Sequence, residues 1–370
     1  MKYNWQYPDW ANFTYDDSVI DSLLIDLISE TSEIKGMLNA LSDGNQQDAI
    51  LQFMISEAIK TSEIEGEFFS RQDVMSSIKR HLGINENLTH IRDKKALGIG
   101  SLMVEVRKSY QEKLTESMLK SWHKTLMSAH PYINAGKYRS GAEPMQVISG
   151  AFGKEVVHYE APPSEKVADE MKQFVKWYTH FKVDSDDMKQ ALIKTCICHL
   201  YFESIHPFED GNGRIGRALA EKCLAQSLNR PMLISLSSVI EKDKKAYYDT
   251  LKKAQRTLEV TDWILYFSKT IVEAQKSAKQ TILFTINKSK FIDNHKHNIN
   301  ERQLKVLLKM FEFGVSGFER GMTTKKYISI TKSSRATATR DLQDLVEKNI
   351  LTPKGAGRNV RYEINFRQSF

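Results

Sequence analysis

Residues 206–217 read HPFEDGNGRIGR, and no other stretch of the chain restricts its own conformation and chemistry so tightly. Gly211 and Gly213 flank Asn212, so successive backbone N–H groups can converge on one point and hold an anion. The run that follows, IGRALAEKCLAQSL, repeats its apolar residues at helical spacing. The glycine turn therefore stands at a helix N-terminus, where unpaired N–H groups and the helix dipole favour a phosphate. Arg214 and Arg217 fall one turn apart on the same side of that helix, within reach of further phosphate oxygens. Asp210 offers the single hard oxygen ligand that Mg2+ usually takes beside substrate phosphates. His206 offers an imidazole that is neutral near pH 7 and can accept a proton. A solvated turn or a satisfied histidine explains any one of these residues alone. Together they read as a nucleotide-phosphate site with its own base.

The stretch resembles the signature of the Fic family, HPFx[D/E]GNGRxxR, at every fixed position. That resemblance implies an enzyme that moves AMP from ATP to a Ser, Thr or Tyr hydroxyl of a target protein, itself included. It also implies the roles: His206 as base, Asp210 holding Mg2+, and the backbone of Gly211, Asn212 and Gly213 on the phosphates. Arg214 and Arg217 then secure the β- and γ-phosphates, and Phe208 plugs the core beneath the loop. A tyrosine of the Tyr247-Tyr248 pair flanks the adenine. Gln255 stands where the family often has an asparagine beside the nucleotide. TSEIEG at 61–66 fits [S/T]xxxE[G/N] through Thr61, Glu65 and Gly66. In self-inhibited Fic proteins the glutamate of this motif pairs with the second signature arginine, here Arg217. A carboxylate ~4 Å from a guanidinium gains about 4 kcal/mol at an effective dielectric near 20, enough to compete with a γ-phosphate.

The expected architecture is mainly α: a Fic-type helical bundle with a β-hairpin flap and a C-terminal winged helix-turn-helix domain. An aromatic arm (Trp5, Tyr7, Trp10, Phe13, Tyr15) opens the chain and reads as packing, not as a ligand box. Helical periodicity runs over 17–41 and from about Asp48 to Gly66, inside an N-terminal helical region assigned to 1–110. The catalytic core follows over 111–280. Within it, 136–163 carries the glycines, prolines and β-branched residues of a hairpin. By resemblance this is a flap whose Val147, Ile148, Ser149 and Gly150 could dock an extended target segment by strand addition.

The net charge of +7 is unevenly placed: residues 281–370 hold 17 Lys and Arg against 8 Asp and Glu, and the rest of the chain sums to −2. In that basic tail, helical patterns at 300–314, 323–330 and 333–349 precede a two-stranded wing over 351–365. Lys332, Arg335 and Arg340 would address phosphates if the tail binds DNA. Winged helices also dock proteins, so a DNA or a protein partner stays open here, as does a homo-oligomer. No apolar run reaches the ~18 residues of a membrane span, and the opening residues lack the apolar core of a signal peptide. Cys196, Cys198 and Cys223 follow no framework or metal spacing, which suits a reducing cytoplasm. Three other readings compete with AMP transfer to protein. They are a nucleotide-sensing DNA-binding regulator, a Fic enzyme that removes AMP or uses another phosphodiester donor, and an interaction scaffold.

Overall fold

The computed structural model describes residues 2–84, 90–149, 156–182, 185–318 and 320–365. The chain divides into two compact units, one of residues 1–33 with 53–278 and one of residues 34–52 with 279–370.

The first unit contains α3 (Arg71–Leu82), α4 (Lys94–Lys108), α5 (Glu116–Met127), α6 (Val167–His180), α7 (Asp187–Ile205), α8 (Asn212–Ser227), α9 (Leu236–Lys242) and α10 (Lys244–Ala254). Parts of α1 (Asp21–Asn39), α2 (Asp43–Ile64) and α11 (Thr261–His295) complete it. Local signals set these ends. The Ser70 hydroxyl accepts from the Asp73 N–H at 3.3 Å to start α3, and Gly83, at φ 78°, ends it. Asp186 accepts from the N–H groups of Met188 and Lys189, each at 2.9 Å, to start α7.

From Ala191 on, α7 is buried nearly all round apart from Lys194, as expected for a helix without a polar face. Its Leu192, Cys196 and Leu200 share one core with Ala220 and Leu224 of α8, Tyr247 and Leu251 of α10, and Trp263, Phe267 and Ile271 of α11. The candidate loop therefore hangs between two fully packed helices.

The hairpin is present as β1 (Gln146–Ser149) and β2 (Val156–Glu160), antiparallel, with Val147 opposite Tyr159 and Ile148 opposite Val157. Gly150 lies outside the described residues, so its docking role has no counterpart here. The aromatic arm braces the hairpin. The Trp5 indole N–H donates to the Glu160 carbonyl at 2.8 Å, and the Tyr159 hydroxyl donates to the Ser204 carbonyl at 2.7 Å.

In the second unit α12 (Glu301–Phe311), α13 (Thr324–Thr331) and α14 (Arg335–Glu347) precede β3 (Leu351–Lys354) and β4 (Arg361–Ile364), an antiparallel pair. Three helices and a hairpin thus follow in the order read from the sequence. The border expected at 280/281 falls inside α11, and residues 34–52 group with the C-terminal residues. Val306, Leu307, Met310, Tyr327, Leu342 and Leu345 form this unit's core. Beside it, Asp341 accepts from Asn300 at 3.1 Å, from Arg302 at 2.9 and 3.1 Å, and from the Tyr327 hydroxyl at 2.8 Å.

Asp341→Ala leaves the buried Tyr327 hydroxyl without its acceptor and should destabilise this unit by about 2 kcal/mol. All five tryptophans lie in the other unit. In urea titrations of the full chain, an early loss of far-UV circular dichroism is expected while the tryptophan fluorescence midpoint stays in place.

Candidate functional site

The loop between α7 and α8 is closed by one side chain. Asn212 accepts from the Phe208 N–H at 2.9 Å and donates to the Phe208 carbonyl at 2.8 Å. Gly211 makes the turn at φ 80°, and a Cβ there would meet Met127 at 2.4 Å, so only glycine fits. Phe208 is fully buried and stacks on His123 at 4.0 Å between ring centroids. The His123 ring accepts from the Gly136 N–H at Nδ1, 2.9 Å, which leaves Nε2–H to donate to the Asp210 carbonyl at 3.2 Å. On the entry side the Arg139 guanidinium donates to the His206 carbonyl at 2.7 Å and the Ile205 carbonyl at 3.2 Å, and the Arg139 N–H donates to the Pro207 carbonyl at 2.9 Å.

His206 caps α7 in the left-handed region, at φ 50°. Its ring is held by the Glu203 main-chain carbonyl, and Nδ1 lies 3.9 Å from Glu203 Oε2. Burial first, and then the nearby Arg139 charge, push the imidazole down to about 4. It is neutral at pH 7, so the ring nitrogen not bonded to Glu203 can accept a proton. Glu203 is buried, and burial raises its carboxyl to about 8 against the opposing Arg217 charge. Its Oε1 has no hydrogen-bond partner and sits 2.1 Å from where a Cβ on Gly216 would be. Gly216, a position the signature leaves free, is thus the space Glu203 occupies.

The two signature arginines part company. Arg217, 1% exposed, donates Nε to the Thr61 hydroxyl at 2.8 Å and a terminal nitrogen to the Thr61 carbonyl at 3.0 Å and to Glu65 Oε1 at 2.7 Å. Burial works against its charge, yet the Glu65 carboxylate raises its pKa overall. A Cβ on Gly213 would stand 2.3 Å from that same Glu65 oxygen. The Glu65 carboxylate therefore rests on the first turn of α8, where unpaired N–H groups favour an anion. Gly66, at φ 79°, ends the helix behind it.

Arg214 faces elsewhere. It donates to Glu67 and, at 3.4 Å, to Asp210 Oδ1, and it does not line the cavity described next. Its expected place on the phosphates is not the one this structure shows. The Gly211 N–H is likewise engaged, by Asp210 Oδ1, which leaves Asn212 and Gly213 to supply the free N–H groups of the turn.

A cavity of about 540 Å³ opens over the loop, lined by Glu65, His206, Asp210, Gly213, Arg217, Val147, Ile148, Tyr248 and Gln255 among others. Its size suits a small-molecule ligand. Tyr248 presents a 41% exposed ring, whereas Tyr247 is buried behind it with its hydroxyl on His199 Nε2 at 2.8 Å. Of the two, Tyr248 is the one placed to stack on a base. The Gln255 amide donates to the Glu203 carbonyl at 3.2 Å and so buttresses the end of α7. The Asp210 carboxylate is half exposed at the cavity wall, a hard oxygen donor fit for Mg2+ beside phosphates. Among the described residues no cluster of three or more His, Cys, Asp or Glu could hold a metal by itself.

Sequence reasoning missed Arg139, His123, Glu203 and Glu67. Arg139 and Glu67 lie far from the loop in sequence, and His123 and Glu203 sit inside helices whose patterns read as core. The exception with a local signal is Glu203, three residues before His206 and so on its face of α7.

Comparison with known proteins agrees with this geometry. Residues 113–224 match the Fic/DOC family, and residues 3–84 match a domain of unknown function, DUF4172. The chain therefore carries a Fic/DOC domain. A probable protein adenylyltransferase of Aquifex aeolicus is 32% identical over 97 residues, which are 26% of this chain and 27% of that protein. The match thus spans about a quarter of that relative's length. A Fic family protein of Desulfovibrio desulfuricans superposes with a TM-score of 0.52 at 19% identity, over 92% of this chain and 95% of its own. A Fic domain containing signaling protein of Bacteroides thetaiotaomicron gives 0.51 at 20% identity, over 68% and 95%. The fold is that of Fic proteins.

Because burial and the Arg139 cation both disfavour the imidazolium, the His206 ring should titrate near pH 4 and not near the ordinary 6.5. NMR of histidine-labelled protein should show its ring resonances flat from pH 8 to 5 and moving only below that.

Proposed function

We propose that this chain is a protein adenylyltransferase, moving AMP from ATP to a Ser, Thr or Tyr hydroxyl of a target protein or of itself, and restrained by Glu65 against Arg217. One observation carries the reading. A neutral, partly buried imidazole and an anion-binding helix turn, the latter already occupied by a carboxylate, line the same cavity.

In the reaction the hydroxyl oxygen forms a bond to the α-phosphorus as the bond from that phosphorus to the β-bridging oxygen breaks. His206 takes the hydroxyl proton, and pyrophosphate leaves with the bridging electron pair. The N–H groups of Asn212 and Gly213 and the Arg217 guanidinium are preorganised donors for the phosphate oxygens. Asp210 would hold Mg2+, which supplies charge neutralisation at the substrate phosphates when bound. Tyr248 supplies a stacking face for the base, and Val147 and Ile148 of the flap supply an edge for the target segment.

Glu65 supports the restraint by proxy. Its carboxylate takes from Arg217 the charge that a γ-phosphate needs, on the turn where that phosphate would sit. In the second unit, the helix order and hairpin support the winged-helix reading, with Lys332, Arg335 and Arg340 exposed on it. Duplex DNA and an acidic protein both suit those cations. Among the described residues no helix is long and apolar enough to cross a membrane, and the three buried, unpaired cysteines fit a reducing cytoplasm.

Glu65→Gly should raise self-modification by labelled ATP about tenfold or more, since relief of only ~1.4 kcal/mol corresponds to tenfold; an unchanged rate would remove the restraint. His206→Ala should abolish transfer while leaving ATP affinity intact. Undiminished label on that variant would remove the base.

A further inference from the structure

The geometry points to Arg214 as a brace for the Asp210 carboxylate, locked by Glu67, and not as a hand on the nucleotide; this rests on the proposed role of Asp210. Two carboxylates and one guanidinium form a chain from Glu67 through Arg214 to Asp210. Glu67 Oε1 accepts from Lys95 Nζ at 2.8 Å and lies 3.0 Å from His130 Nε2. Its other oxygen, Oε2, is left for one terminal nitrogen of Arg214. The second terminal nitrogen of Arg214 reaches Asp210 Oδ1 at 3.4 Å, and the Gly211 N–H falls on that same oxygen. Among the described residues no hydrogen bond or ion pair falls on Asp210 Oδ2. One oxygen tied by two donors leaves the other facing a fixed direction.

Burial argues for permanence. The Arg214 side chain is 2% exposed, and its Nε is buried without a partner. To reach the cavity, Arg214 would have to abandon both carboxylates. Glu67 is anchored by α4 through Lys95 and by the segment after α5 through His130, so the brace is tied to the bundle itself. Burial alone would raise the Glu67 carboxyl. The Lys95 hydrogen bond, the Arg214 charge and His130 outweigh it and hold the group down at about 2, so it stays ionised across the working pH range. A planar guanidinium suits this bridge because its fork fixes two acceptors at once. Residues that orient a metal ligand from behind commonly change metal affinity about 10–100-fold.

The test separates metal affinity from nucleotide affinity, in a Glu65→Gly background so that Arg217 is free. Mn2+ binding in the presence of ATP is followed by electron paramagnetic resonance, and ATP binding in EDTA by calorimetry. Glu67→Gln and Arg214→Lys should each weaken Mn2+ binding by about tenfold and leave ATP affinity in EDTA unchanged. Arg217→Lys should do the reverse. Lys95→Met changes a partly exposed partner and spares the fold; it should weaken Mn2+ by about threefold, in the same direction. Unchanged Mn2+ affinity in all three brace variants overturns the inference. So does a loss of metal-free ATP affinity in Arg214→Lys equal to that in Arg217→Lys, which would make Arg214 a phosphate ligand. Faster self-modification by Glu67→Gln with Mn2+ affinity unchanged overturns it too, making Glu67 a second inhibitory lock. A Glu65→Gly chain that binds Mn2+ and ATP but transfers no AMP would sink the proposed activity and leave the brace standing.

Discussion

The reciprocal pair of hydrogen bonds between the Asn212 side chain and the Phe208 backbone holds the loop in one shape, and the rest of the site is built outward from it. A polar loop between two buried helices must satisfy each of its carbonyls or lose stability. Here the carbonyls of residues 205 and 206 go to the Arg139 side chain, that of 207 to the Arg139 N–H, that of 208 to Asn212 and that of 210 to His123. What remain are the N–H groups at the start of α8. With those five carbonyls engaged on the protein side, the turn presents donors that suit an anion. His206 and Asp210, at the two ends of the closed loop, then line one cavity.

Glycines at 213 and 216 show how tightly the first turn of α8 is shared. Each is the empty side of a carboxylate, Glu65 at the one and Glu203 at the other. Alanine at either position would put a methyl group where an oxygen now lies. Glu65 follows the end of α2 and is 28% exposed, whereas Glu203 belongs to α7 and is buried. The same helix turn thus meets a partly exposed carboxylate and a buried acid on neighbouring faces.

The signature turn was legible because its residues are contiguous: glycines, histidine and arginines lie within twelve residues. The hairpin and the buried Phe208 were legible for the same local reason. Arg139 was not, since nothing near it announces a partner 67 residues away, and His123 sits on a helix stripe with Trp122 and Leu126 that reads as core. Arg214 and Arg217 share a helix face, yet residues brought from far along the chain, Glu67 and Glu65, take them in different directions. Spacing sets which side of a helix a residue occupies and says nothing about who waits there. The border read from the change in charge, 280/281, lies two residues from the division at 278/279. The helix nevertheless runs through it, since no Gly or Pro interrupts 261–295 and apolar spacing continues through Ala278, Ile282 and Phe291.

One residue type serves four purposes around the site, and environment alone sorts them. Glu57 is wholly buried, and desolvation raises its carboxyl despite hydrogen bonds from Ser235 and Ser237; it anchors α2 to the bundle seven residues before the helix ends. Glu65, at the end of the same helix, meets a cation and acts through its charge. Glu67, two residues on, has three basic neighbours, is held ionised and works as a fixed strut. Glu203 faces His206 from within α7 and is kept neutral by burial. Glu57 and Glu67 fix the segment on both sides, while the Glu65 side chain between them is 28% exposed. Under the proposed function, a γ-phosphate, which carries more charge than one carboxylate, would compete with Glu65 for Arg217 on that fixed turn.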